Sequence, residues 1–76
     1  MTRRPYHEIR YGLIKVRIWK RKSNESESYS LSVIRLYRNG VVWKESMRFD
    51  RDDLPLVRLA LNEAYGWLLT TGRTGE

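Results

Sequence analysis

Cysteine is absent from the chain, and disulfides, thiolate metal sites and thiol nucleophiles are excluded with it. Nothing asks for an oxidising compartment, so a cytoplasmic location is expected, with association with the nucleoid included in it. Histidine is almost absent too: His7 stands alone near the N-terminus. No Gly-rich phosphate loop follows a strand pattern, and the carboxylates gather where a helix begins, so the chain is not expected to be an enzyme. Asp50, Asp52 and Asp53 alternate as calcium ligands can, but the following Gly and bidentate Glu of a calcium loop are missing. Helix capping accounts for them, and neither metal nor cofactor is expected. No apolar run approaches the roughly 18 residues of a membrane span, and the basic start MTRRPYHEIR leads into no apolar stretch. The expectation is a soluble, unexported protein without a membrane partner or small-molecule substrate.

Acidic residues are the other shortage. Nine Asp and Glu face fifteen Lys and Arg, for a net charge of +6. The excess is segregated: residues 1–49 hold twelve cations against four Glu, whereas residues 50–76 hold three Arg against five acids. Clustered Lys and Arg create a field that a polyanion neutralises with counterion release. A charge excess serving only solubility is the plainer alternative.

At 76 residues the chain suffices for one core, so 1–76 is read as a single domain, ordered over about 10–69 with mobile tails. IKVRIWKRK (14–22) alternates strictly. Ile14, Val16 and Ile18 share one face, and Lys15, Arg17, Trp19 and Arg21 the other, as in a half-buried strand. SNESES (23–28) reads as a mobile hairpin loop. The next strand, 29–38, alternates Tyr29, Leu31 and Val33 with serines, then blurs at Ile34 and Leu36 as if by a bulge, a twist or a partner chain.

Asn39-Gly40 signals a type I′ hairpin into a strand at 41–49. There Trp43, Glu45, Met47 and Phe49 share one face and Lys44, Ser46 and Arg48 the other, making a second basic row with Trp43 toward the core. The N-terminal YHEIRYGLI offers a further short strand or an edge extension. From Asp50 the period becomes helical, to about Leu69, with Asp50 and Asp53 in a capping arrangement. Leu54, Val57, Leu61, Ala64, Tyr65 and Leu68 form the expected buried face. Leu56, Leu59, Ala60 and Trp67 form a second apolar flank, for which a homodimer contact competes with ordinary helix packing.

The fold class is therefore α+β: a curved antiparallel sheet of three to four strands, then one long C-terminal helix packed on one face. This order, with IKVRIW, a strand ending IRLYR, a turn, a further strand and DRDDLPLV opening the helix, resembles the single-stranded-DNA-binding domain of the positive cofactor four family of transcriptional coactivators. It resembles the Whirly proteins more distantly. The resemblance covers roughly residues 10–69 and implies a dimer whose sheets hold single strands, with a part in transcription regulation. By position it implies base stacking on Trp19 and on Tyr37 or Arg38, and phosphate contacts from Lys15, Arg17, Arg35, Lys44 and Arg48. Arg21 joins them from the alternation of its own strand. For Trp19, packing on the helix or on a partner subunit is the competing reading. The expected partner is single-stranded nucleic acid, DNA ahead of RNA, bound with little sequence preference. A protein-interaction module using exposed aromatics or a sheet edge, and a duplex-binding architectural protein, are the rival readings.

Overall fold

The computed structural model describes residues 4–22 and 27–74, without the side chains of residues 22 and 72–74. Of the stretches expected to be mobile, residues 1–3, 23–26 and 75–76 lie outside the described residues. Four strands, β1 (His7–Tyr11), β2 (Ile14–Lys22), β3 (Glu27–Asn39) and β4 (Val42–Ser46), form one antiparallel sheet in sequence order. A 3₁₀ turn at Arg51–Asp53 then opens α1 (Leu54–Thr74). The α+β class and the strand-then-helix order are as expected. The ordered part is longer than 10–69, because β1 is a complete strand from His7 and α1 continues past Leu69.

Three antiparallel hairpins link the strands, and the first and last are built alike. Gly12 and Gly40 have φ of 60° and 68°, and no other described residue has positive φ. The pairings Tyr11↔Ile14 and Asn39↔Val42 leave Gly12-Leu13 and Gly40-Val41 as two-residue loops with glycine at the first central position. That is the requirement of a type II′ turn. The turn is therefore centred one residue beyond the expected Asn39-Gly40 position, and Asn39 ends the strand.

The inward face follows from the alternation. Ile14, Val16 and Ile18 of β2 are fully buried, with Ile9 beside them on β1. Each such side chain contributes about 1.5–3 kcal/mol on leaving water. They meet α1 through Ala60 and Ala64, both fully buried, around which Leu56, Val57, Trp67 and Leu68 pack. Alanines one helical turn apart let the helix axis approach the sheet closely. α1 lies chiefly over β1 and β2. On the β1 side the Tyr11 hydroxyl donates to Glu63 Oε1 at 2.6 Å, which holds the tyrosine proton above its ordinary pKa.

This docking corrects the helix faces read from periodicity. Leu56, Ala60 and Trp67, expected in a dimer interface, are part of the sheet-facing row. Leu59 is 47% exposed and outside that row. Of the stripe expected inside, Leu54, Leu61 and Tyr65 remain 56%, 40% and 65% exposed. Both stripes are apolar with helical spacing, so period alone does not choose between them. The small side chains at 60 and 64 decide it.

At its start α1 is capped as expected. The Asp50 amide donates to Asp53 Oδ2 at 2.8 Å, and the Asp53 amide to the Asp50 carbonyl at 2.9 Å. Arg35 on β3 fastens this corner to the sheet, its Nε 3.3 Å from both Asp53 Oδ2 and the Arg48 carbonyl. At the other end Trp67 closes an aromatic cluster. It stacks on His7 with centroids 4.4 Å apart and planes 3° from parallel, and meets Tyr6 and Tyr29 by their edges. His7 is thus packed against the helix, where the sequence suggested a mobile segment.

Candidate nucleic-acid interface

Directly paired residues of an antiparallel sheet point to the same side. The register therefore sorts the expected site residues on the strands without further assumption. The face away from α1 carries Glu8 and Arg10 from β1, Lys15, Arg17, Trp19 and Arg21 from β2, and Ser28, Ser30, Ser32, Ile34, Leu36 and Arg38 from β3. β4 adds Trp43 and Glu45. Arg35, Tyr37 and Lys44 point to the helix side instead, because Arg35 pairs with Ile14 and Tyr37 with Lys44. Arg48 lies beyond β4, its amide donating to Ser46 Oγ at 3.0 Å.

The expected second basic row is thus corrected. Across a two-residue turn, Arg38 faces Trp43 and Tyr37 faces Lys44, so the outward side chain is the tryptophan and the inward one the lysine. The reading failed because Met47 and Phe49 were counted with the strand. The pairing ends at Ser46, so their apolar character says nothing about the face of Trp43. Trp43, expected toward the core, is 54% exposed with the Arg38 guanidinium 5.8 Å from its ring centre.

At the centre of the outer face is an ion-pair lattice for which sequence spacing held no signal. Arg17 on β2 donates two hydrogen bonds to the Glu45 carboxylate on β4, one of them Nη1 to Oε1 at 3.0 Å, and it also lies 3.7 Å from Glu8 Oε1. Lys15 Nζ is 3.3 Å from Glu8 Oε2. Because Arg17 pairs with Ser32 and Glu45 with Leu36, their bridge crosses β3 at Ile34. Ile34 is only 5% exposed although it lies on the face opposite the helix. That cover accounts for the blurred alternation at Ile34 and Leu36, for the strand itself is paired in regular register. The hydrogen bond from Arg17 holds the Glu45 carboxyl below its ordinary range, and the Glu45 carboxylate raises the guanidinium.

Trp19 is half-buried, its indole Nε1 donating to Ser32 Oγ at 3.0 Å, so the ring reaches from β2 across to β3. Arg21 beside it is exposed. Trp19 pairs with Ser30 and Trp43 with Arg38, eight residues apart on β3, or about 27 Å along the strand. The two turn-flanking arginines repeat one local arrangement: Arg10 Nε donates to the Gly12 carbonyl at 2.9 Å and Arg38 Nε to the Gly40 carbonyl at 3.1 Å. Both are thereby anchored at the hairpin ends of the outer face. The face as a whole carries five cations and two carboxylates, and the carboxylates are engaged with Lys15 and Arg17.

Among the described residues no group of three His, Asp or Glu is placed to hold a metal ion, and no helix is long and apolar enough to cross a membrane. No protein-family model, curated protein or solved structure matches the chain.

Proposed function

We propose that the chain is a non-enzymatic nucleic-acid-binding protein that holds single strands across the outer face of its sheet, DNA ahead of RNA. The observation that carries this reading is the placement of Trp19 and Trp43 on that face at opposite ends of β3, each with arginine on the same side. A single strand offers a phosphate and a π-face at every step, and stacking on an aromatic contributes about 1–3 kcal/mol per base whatever the base. Arg10, Arg21 and Arg38 have no acidic partner among the described residues and supply phosphate contacts. Ser28 and Ser30 add hydroxyl donors beside Arg21 and Trp19, with which they pair. A span of about 27 Å suits the shorter end of the range of about 4–16 nucleotides known for single-strand-binding sheets.

Lys15 and Arg17 play a different part from the one expected of them. Engaged by Glu8 and Glu45, they form a nearly neutral centre that covers Ile34 and competes with phosphate for its own arginine. Of the residues to which the resemblance to the positive cofactor four domain points, Lys15, Arg17, Trp19 and Arg38 are on this face and Arg35, Tyr37 and Lys44 are on the other; a part in transcription regulation and a nucleoid location belong to the same proposal.

The test is a titration of labelled single strands and duplexes of equal length at several salt concentrations. Affinity for the single strand should exceed that for the duplex at each salt concentration and fall with a slope of about −0.7 per phosphate neutralised. Arg21→Glu with Arg38→Glu should abolish binding with the circular dichroism spectrum unchanged. Equal or better binding to the duplex would support the architectural reading instead.

A further inference from the structure

Beyond Leu36, whose amide donates to the Leu13 carbonyl at 2.7 Å, β3 leaves the rest of the sheet. β2 reaches only to the pairing Ile14↔Arg35, and α1 lies chiefly over β1 and β2. Residues 37–39 and 42–44 therefore form a two-stranded ribbon, open on both faces. Every residue from 37 to 45 is exposed.

A ribbon standing in water is expected to carry polar residues at its tip. This one ends in two valines. Val41 is 87% exposed and Val42 53%. Strand propensity accounts for valine within a ladder, but Val41 is in the turn, beyond the last pairing, Asn39↔Val42. The first hairpin provides the contrast. Leu13 holds the same turn position there, but that turn packs beside α1, where a Cβ on Gly12 would lie 3.3 Å from Leu56 Cδ1. Nothing lies within 4 Å of the corresponding point at Gly40. The second tip is apolar and covered by no part of its own fold, and contiguous exposure of this kind marks a contact surface.

The register grades the ribbon by distance from its tip. Val41 and Val42 come first, then Arg38 opposite Trp43, then Tyr37 opposite Lys44. Arg38 and Trp43 share one face and Tyr37 and Lys44 the other, so each face presents one ring and one cation. At about 3.4 Å per residue, Val41 to Lys44 spans about 10 Å. An amphipathic element held in a bilayer surface buries its apolar part about 5–10 Å deep, with Trp and Tyr at the headgroups and long cations reaching back to the phosphates. The ribbon has the same order of side chains over the same depth. Its charge also fits: residues 28–44 contain no Asp or Glu, and neither Arg38 nor Lys44 has an acidic partner among the described residues. An open sheet edge is barred from the hydrocarbon itself, so such a contact stops at the boundary.

We propose that the tip of the β3–β4 hairpin docks on a bilayer surface containing anionic lipids. Val41 and Val42 lie below the headgroups, Trp43 and Tyr37 among them, and Arg38 and Lys44 on the lipid phosphates. The expectation of no membrane partner rested on the lack of a span, which docking of this kind does not need. The proposal is independent of nucleic-acid binding, because Val41, Val42, Tyr37 and Lys44 are not on the outer face where a single strand is placed.

Because the chain has no cysteine, Val41→Cys in the full chain carries a single polarity-sensitive fluorophore at the tip, and Leu59→Cys carries one at an exposed position on α1. With vesicles of phosphatidylcholine and phosphatidylglycerol, the label at position 41 should shift to the blue and brighten severalfold, and the label at position 59 should stay unchanged. The unlabelled wild type should cosediment with vesicles of phosphatidylcholine alone about 25-fold more weakly, about fivefold for each of the two cations. Val41→Asp, at a position that packs on nothing, should weaken cosedimentation with the mixed vesicles about tenfold. No cosedimentation of the wild type with the mixed vesicles overturns the proposal, as does equal binding to the two vesicle types or unchanged binding by Val41→Asp. Cosedimentation without a response from the label at position 41 overturns it too, since another basic surface would then hold the lipid. If that label instead responds to rising protein concentration without vesicles, the tip is covered by a second copy and the proposal is wrong.

Discussion

Replacing Glu45 by Gln should strengthen nucleic-acid binding, although it removes a contact from the folded protein. The carboxylate accepts two hydrogen bonds from Arg17 and contributes a negative charge at the centre of the face proposed to carry phosphates. Glutamine keeps the shape and removes the charge. Freed from its strongest partner, Arg17 becomes available for one more phosphate. One added neutralisation steepens the single-strand salt slope by about 0.7, which at about 0.1 M salt is close to fivefold in affinity. The cost to stability is small, because Glu45 is 44% exposed at its side chain and exposed ion pairs contribute only about 0.2–1 kcal/mol. Loss of about half a kcal/mol lowers the melting temperature of a domain this size by about 2–4 °C. Fluorescence anisotropy of a labelled oligothymidylate at several salt concentrations, with a thermal melt alongside, measures both. Unchanged or weaker binding by a folded Glu45→Gln protein refutes the reasoning, for the strand would then not pass near Arg17.

Acidity should mimic that substitution. Arg17 depresses the pKa of Glu45, so the stability the pair contributes is fully present above the ordinary carboxylate value and is lost as pH falls through the lower, folded-state value. The gap in melting temperature between wild type and Glu45→Gln should close in that acidic window and not above it. Trp19→Ala should weaken binding by about 1–3 kcal/mol in anisotropy titrations with the salt slope nearly intact, since stacking and phosphate neutralisation are separate effects. Trp67→Ala should instead destabilise the fold by about 3–5 kcal/mol in urea unfolding, through loss of its contacts with His7, Tyr6 and Tyr29, and leave the affinity of the folded fraction unchanged. Gly12→Ala should cost more stability than Gly40→Ala. Both force a side chain into positive φ, at about 1–2 kcal/mol, but only at Gly12 would the new Cβ also press on Leu56 Cδ1, 3.3 Å away.

Where one pattern had one reading, the sequence carried the fold. Strict alternation in residues 14–21 placed Ile14, Val16 and Ile18 inside and Lys15, Arg17, Trp19 and Arg21 outside, as the register has them. The Asp50–Asp53 cap was legible because capping is local. Where two patterns were equally good, tertiary contacts decided. α1 has two apolar stripes, and what brings one to the sheet is the absence of side-chain bulk at Ala60 and Ala64. That signal is visible in the sequence once small residues are weighed as points of close approach, not as weak hydrophobes.

Trp43 and Lys44 exchanged sides because a strand was read three residues too long. The partners of Lys15 and Arg17 were not legible at all. Glu8 and Glu45 meet them only through strand pairing, twenty-eight residues apart in the case of Arg17 and Glu45. Alternation therefore located the outer face but overstated the charge it has available at its centre.

The three tryptophans provide the most direct measurement of whether that face is the binding surface. Trp19 and Trp43 are on the outer side of the sheet, and Trp67 is on the helix side in contact with His7. In a proton–nitrogen correlation spectrum of labelled protein, titration with a short oligothymidylate should shift the indole resonances of Trp19 and Trp43 progressively and leave that of Trp67 in place. Movement of Trp67 with Trp19 and Trp43 unmoved would put the nucleic acid on the helix side and contradict the account.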